Sequence, residues 1–312
     1  WGWNRGVVRQ RDAQPPQRAG KQVGSPRRQW RRDLRRWRLG QSAREACEYA
    51  FSLAPETNTE ILLYNSVFVP NTVPVEGGIY PPLPDISELE LDSTNKLKEL
   101  ANDLPAKLRK PDRVTPSIRY KNKVGLLTDN LPGLLKQENV WMIVIGNKAK
   151  KGFVERMIFG SSTSGVIEDS TRPVLLVPEN LAFSPIQTIA FASDFHGSDN
   201  RAVHFLASLA YCLNANINLV HVFEKPDEAR KKGLDFFNKL KGDINYYKFS
   251  YEPVDGENVA KMLAGFSEEK GIDLLAIAHQ EHPFFRRVFS SSKTHELLKY
   301  HHVPLLVFPK RF

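Results

Sequence analysis

A doubly wound α/β architecture, laid down twice in tandem, is the fold class this sequence predicts, and three observations predict it. Short continuous runs of Val, Ile and Leu recur along the chain, as in strands buried on both faces of a parallel sheet. Amphipathic stretches with helical spacing stand between them, the alternation expected of a sheet covered by helices. The chain also repeats itself: "YAFSLAPETNTEILLYNSVF" lies over "FLASLAYCLNANINLVHVF" at an offset of 156. Leu53, Ala54, Asn58, Ile61 and Leu63 thereby match Leu209, Ala210, Asn214, Ile217 and Leu219.

Residues 1–40 fit neither copy. They hold eleven Arg and one Lys against two Asp, so the rest of a chain of net charge +9 carries −1. They also hold four of the five Trp and no Ile, Phe or Tyr, which leaves little to build a core. The repeat places the opening strand of the first copy at residues 32–39, "RDLRRWRL", where the second copy reads "TIAFASDF". A central strand cannot bury four arginines without partners, so this strand is expected to be missing or replaced. A basic nucleic-acid arm would supply charge but no reading module. A membrane-surface segment would segregate its arginines to one helical face, and this one does not. Non-native text, such as a change of reading frame leaves, explains both the composition and the abrupt boundary near Ser42. It is the reading adopted, and the start at Trp1 places the natural beginning out of view.

From Ser42 the elements follow in order. Ala43, Ala46, Cys47, Ala50 and Ala54 form one helical stripe, and "EILLYNSVFV" is the strand after it. "VPNTVPVEGGIYPPLPDI" is a Pro-rich surface excursion, most of the 25 residues by which the first copy exceeds the second. "WMIVIG" and "RPVLLVP" are strands, and "PENLAFSP" connects the copies. The second copy supplies "TIAFASDF", a helix with Ala202, Phe205, Leu206, Leu209 and Leu213 on one stripe, then "INLVHVF", "DLLAIA" and "VPLLVFP". The expected divisions are 1–40, 41–179 and 180–312. No apolar run approaches the length of a membrane span, and no secretory signal is recognisable. Cys47 and Cys212 read as buried core thiols of a cytoplasmic protein.

Two loops carry the candidate chemistry. After "WMIVIG" the first copy reads "GNKAKKGFVERMIFGSST", and the second copy reads "AHQEHPFFRRVFSSSKT" at the same place. A loop that leaves a parallel strand and enters a helix offers backbone N–H groups and the positive end of a helix dipole. Glycines allow close approach of an anion, and hydroxyls add donors.

With these motifs in place, residues 42–312 resemble a tandem universal stress protein. The resemblance implies a five-stranded parallel unit, duplicated. It also implies an adenine-nucleotide site made by an Asp ending the first strand and a loop G-x2-G-x9-G-[ST] after the fourth. In the first copy this points to Gly146, Asn147, Lys148, Gly152, Gly160, Ser161 and Ser162. The middle glycine of the pattern is absent and the loop is one residue longer. In the second copy Asp194 stands where that Asp stands, but Ala278, Ser291 and Ser292 replace the glycine positions and Pro283, Phe284 and Phe285 crowd the loop. Asp194 is thus a vestigial site, and the second copy is degenerate and serves to pair with the first.

The expected function is that of an ATP-binding or stress-regulatory protein with weak ATP affinity as the sequence stands. The alternatives are a slow ATPase or phosphate-handling enzyme, and a nucleic-acid protein carried by the basic segment, with nucleic acid not the expected partner. No catalytic residue is assigned. His279, His282, His295, His301 and His302 read as structural or surface histidines, so no metal is expected. The expected partners are the two copies themselves, paired through their last strands, with a homo-oligomer open and no membrane.

Overall fold

The computed structural model describes residues 7–9, 40–69, 85–147, 161–195, 199–223, 226–278 and 303–312, with the side chains of 7–9, 161–162, 226–229 and 260 excepted. The first unit runs β1 (Val7–Arg9), α1 (Gln41–Leu53), β2 (Ile61–Val67), α2 (Ile86–Leu108), β3 (Ile118–Val124), α3 (Leu127–Gln137), β4 (Ile143–Asn147), α4 (Ser161–Asp169) and β5 (Val174–Pro178). The second runs β6 (Thr188–Ala192), α5 (Asp199–Leu213), β7 (Asn216–Phe223), α6 (Pro226–Asp243), β8 (Phe249–Asp255), α7 (Val259–Glu269), β9 (Leu274–Ala278) and β10 (Leu305–Phe308).

Seven strands form one sheet in the order β4-β5-β10-β9-β6-β7-β8, and three form another, β1-β2-β3. Every pair is parallel except β5 with β10, which run antiparallel with Leu305 opposite Leu176 and Leu306 opposite Leu175. That ladder carries the sheet from one unit into the other. Apolar layers cover both faces, and each continues across the ladder. One gathers α1, α2, α5 and α6, with Leu53, Leu97, Leu206 and Leu240 among its buried residues. The other gathers α3, α4 and α7, with Leu131, Val166 and Leu263. Trp141, at the foot of β4, stacks on Phe205 of α5 with ring centroids 4.4 Å apart, stitching the units together.

The matched asparagines have a shared backbone role. Asn58 (φ 50°) and Asn214 (φ 55°) both take the left-handed conformation after their helices. Asn tolerates it better than other side-chain-bearing residues because its short amide bonds locally.

Three features differ from the sequence expectations or add to them. β3, "IRYKNKV", and β8, "FSYEPVD", are strands that the apolar runs did not announce. Both stand at the end of their strand orders, where alternate side chains meet solvent. The first-strand position is taken by Val7–Arg9, paired parallel to Leu63–Asn65 and packed beside β4. Residues 32–39, where that strand was expected from the repeat, lie outside the described residues, as does most of the Pro-rich excursion. Cys47 is buried as expected, but Cys212 is exposed. On the winding of α5 it falls just past the arc occupied by Ala202, Leu206, Leu209 and Ala210, in the last helical turn.

Candidate functional site

At the carboxyl edge of the first unit, β4 ends in Gly146 and Asn147, the latter largely buried. The first turn of α1 is pressed against this end. A Cβ built on Gly146 would lie 1.9 Å from the carbonyl oxygen of Ser42 and 2.3 Å from its carbon. The glycine is therefore required by helix packing, independently of any ligand. In the second unit Ala278 occupies the matching strand end. The residues before Asp199 that would match Gln41 and Ser42 lie outside the described residues.

Around this edge the polar groups are tied to one another. Gln41 donates to Glu45 (2.9 Å) and to Asn180 (3.1 Å), and the Asn180 backbone N–H donates to Glu45 (2.9 Å). The Asn147 carbonyl accepts from the Glu179 N–H at 3.2 Å. Ser161 and Ser162 open α4, as the loop pattern implied. Lys148, Gly152 and Gly160 lie outside the described residues. Gly146 and Asn147 are thus brought against the first turn of α1. Beyond them β2 ends in polar company: Asn65 donates to Ser93 (2.8 Å), and Asn130 donates to Ser66 (3.2 Å) and to the Val124 carbonyl (3.1 Å). Neither Asn65 nor Asn130 was singled out by motif, because their partners come from other elements, Ser93 on α2 and Ser66 and Val124 on β2 and β3.

The same edge of the second unit is filled with aromatic rings. Asp194 follows β6, and both its carboxylate oxygens are buried. Phe195, next in the chain, has φ 62°, a conformation a bulky residue adopts only when its surroundings impose it. Its ring stacks on His221 at 4.2 Å and packs against Phe236 and Tyr251. α6 closes over the cluster at Gly233, where a Cβ would lie 2.0 Å from the Tyr251 hydroxyl and 2.6 Å from Phe195. Ser193 organises the turn: its hydroxyl donates to buried Asp199 and accepts from the Phe195 N–H (3.0 Å), while its carbonyl accepts from His221 Nδ1. Burial pushes the His221 imidazole below its usual range, against the upward pull of the Ser193 carbonyl and of Asp194. Burial likewise pushes the Tyr251 phenol up to about 12.

Sequence reasoning singled out Asp194, as a vestigial position, but not Phe195, His221 or Tyr251, which the fold packs beside it. The repeat offset sets His221 on Asn65, an aromatic against an amide, which is the signal that the two edges diverge. The second unit's loop residues, Pro283, Phe284, Phe285, Ser291 and Ser292, lie outside the described residues, as do His279, His282, His295, His301 and His302. Among the described residues no cluster of three His, Cys, Asp or Glu could hold a metal, and no helix is long and apolar enough to cross a membrane.

The universal stress protein family model matches residues 39–178. A universal stress protein of Synechocystis is similar to 62% of this chain, at 23% identity over 193 residues, and the match spans 65% of that relative's length, just under two thirds. The crystal structure of a universal stress protein from Archaeoglobus fulgidus DSM 4304 is similar over 88% of this chain and 96% of its own, with 17% identity and a TM-score of 0.65. That likeness is one of fold. A universal stress protein solved in complex with cAMP is similar over 40% of this chain and 98% of its own, with 18% identity and a TM-score of 0.34.

Proposed function

The chain belongs to the universal stress protein family through residues 39–178, and from that premise we propose that it is a binding and regulatory protein of the cytoplasm rather than a dedicated enzyme. Its working form is a pair of units, 41–179 and 180–312, joined within one chain. The observation that carries this reading is the aromatic filling of the second unit's edge. Phe195, His221, Phe236 and Tyr251 occupy the space beside Asp194 with side chains, so that unit contributes packing rather than a ligand site. The antiparallel β5–β10 ladder supports its role as the partner of the first unit.

The first unit keeps the polar edge, and the loop from Gly146 to Ser162 is where an adenine nucleotide would place its phosphates. Backbone N–H groups at the start of α4 would receive them. The carboxylate that would hold the nucleoside is not supplied by β1, which ends in Arg9. Affinity for ATP is therefore weak. Titration calorimetry with ATP tests this: a dissociation constant no tighter than about 0.1 mM is expected. Gly160→Val should weaken it further, because a β-branched side chain obstructs phosphate at the backbone. Micromolar binding unaffected by Gly160→Val would overturn the assignment.

A further inference from the structure

The strand orders end in β3 in the first unit and in β8 in the second, and the two free edges differ. The Ile61 N–H donates to the Ser117 carbonyl and the Gly125 N–H to the Val67 carbonyl, so the odd-numbered residues of β3 direct their backbone groups to β2. Successive residues of a strand direct these groups to opposite sides, so the N–H groups of Ile118, Tyr120 and Asn122 face outward. In β8 the Ile217 N–H donates to the Lys248 carbonyl and the Gly256 N–H to the Phe223 carbonyl, which turns Tyr251, Pro253 and Asp255 outward. Pro253 has no N–H, so the middle of that edge offers no donor to another strand. β3 contains no proline, and its outward donors are complete.

β3 also carries a row of positive charge. Arg119, Lys121 and Lys123 lie on one face of the strand, successive members about 7 Å apart. Arg119 and Lys121 both reach Glu138, yet their side chains stay 47% and 45% exposed, and Lys123 is exposed as well. Arg119 also meets Glu60 at 3.7 Å. Three cations are thus set against two carboxylates, and all three remain open to solvent. On the opposite face Asn122 is anchored to α2 through the Glu90 carbonyl and Thr94, while Tyr120 is exposed.

These features define what the edge accepts. The β3 of a second copy would set Arg119, Lys121 and Lys123 against the same cations, and like charges across a strand pair are destabilising. The β8 of a second copy would bring Pro253 to the centre of the ladder and lose a bond there. Lysines on an edge strand repel such pairing, and the same charges select a strand of opposite sign. We propose that the outer edge of β3 is a docking site for an extended acidic segment of a partner protein, added to the sheet as a further strand. The segment carries carboxylates at alternate positions, beside Arg119, Lys121 and Lys123, with apolar residues between them on the Tyr120 face. The site uses no residue of the Gly146–Ser162 loop, so it stands or fails separately from nucleotide binding.

The test uses the full chain and a short fluorescein-labelled peptide of alternating Glu and Val, with a Lys and Val peptide as control. Fluorescence anisotropy should rise saturably with the Glu peptide, with a dissociation constant of about 10–100 µM, and the Lys peptide should bind at least about tenfold more weakly. Residues 1–40 hold eleven Arg and attract acidic peptides by charge alone, so two further readouts locate the binding. Amide exchange at Tyr120 and Asn122 should slow on binding. Tyr120→Pro removes one outward N–H, leaves the β2 ladder its donors, and should weaken binding at least about fivefold. If that variant does not fold, Lys123→Glu takes its place, with binding weakened about threefold. Unchanged exchange at Tyr120 and Asn122, equal binding by the parent and the variant, or equal binding of the two peptides would overturn the proposal. Self-association of the chain that Tyr120→Pro abolishes would overturn it in favour of a second copy, and tighter binding of a single-stranded oligonucleotide at the same amides in favour of nucleic acid.

Discussion

Replacing Gly146 by alanine tests whether this glycine serves the packing of α1 onto β4. The added Cβ would meet Ser42 O at 1.9 Å, Ser42 C at 2.3 Å and Ala43 N at 2.8 Å. All three are backbone atoms of a helical first turn, so no rotamer change relieves them. Ordinary carbon contacts lie at about 3.5 Å, so α1 must withdraw by more than about 1 Å. That movement would loosen Ala43, Ala46, Cys47 and Ala50, all buried beneath the helix. Overpacking of this kind costs about 3 kcal/mol when backbone opposes it, which for a chain of this size lowers the melting temperature by about 5–10 °C. Gly133→Ala is the control: it lies within α3 with nothing inside 4 Å of the added methyl. It should raise stability by about 0.5–1 kcal/mol through helix propensity. Calorimetric melts of the parent and both variants give the answer. A Gly146→Ala melt within about 2 °C of the parent would refute the packing argument.

Three further outcomes follow from contacts already described. His221 is held neutral by burial, so the stability it confers is present above its ordinary value near 6.5 and is lost as pH falls toward the depressed folded value; His221→Gln should flatten the slope of stability against pH on the acid side of 6.5, and an unchanged slope would count against it. Among the described residues the buried Tyr251 hydroxyl has no hydrogen-bond partner, so Tyr251→Phe should leave stability unchanged or raise it by about 1 kcal/mol in urea melts, and a loss of that size would contradict the assignment. Leu306→Asp places a charge in the fully buried β5–β10 ladder and should cost about 4 kcal/mol or more; a melting transition like the parent's would show that the ladder is not needed to join the units.

The strands that proved easy to see in the sequence are those buried on both faces. β2, β4, β5, β6, β7, β9 and β10 each contain a continuous apolar run because neither face meets water. β3 was illegible for the converse reason. Tyr120, Lys121 and Asn122 answer to solvent, ion pairs and the α2 surface rather than to a core: Lys121 and Arg119 reach Glu138, and Asn122 donates to the Glu90 carbonyl and to Thr94, both 2.7 Å away. At the candidate site the sequence offered a loop pattern at Gly146 and a carboxylate at Asp194, which the fold places at the end of β4 and just after β6, because strand ends and helix starts leave marks in sequence. What occupies each edge was not legible. The Phe195 cluster joins residues from four separate elements, and only the fold shows that His221 and Tyr251 meet the residue after Asp194. Gly146 could be read as a phosphate glycine, and the approach of the Ser42 carbonyl to it emerged only from the packing of α1 on β4.

The antiparallel pairing of β5 with β10 fixes the polarity of the whole molecule. Strands within each unit run parallel, so reversing direction at that one ladder points the carboxyl ends of β4 and β9 toward opposite poles. The carboxylate of Asp194 therefore cannot swing across to complete the edge that holds Gly146, however the loops rearrange. What the first unit lacks and what the second retains are separated by direction as well as by distance. A molecule bound at one pole could influence the other through the shared sheet, along Leu175, Leu176, Leu305 and Leu306, and through the apolar layers and the Trp141–Phe205 stack that cross between the units.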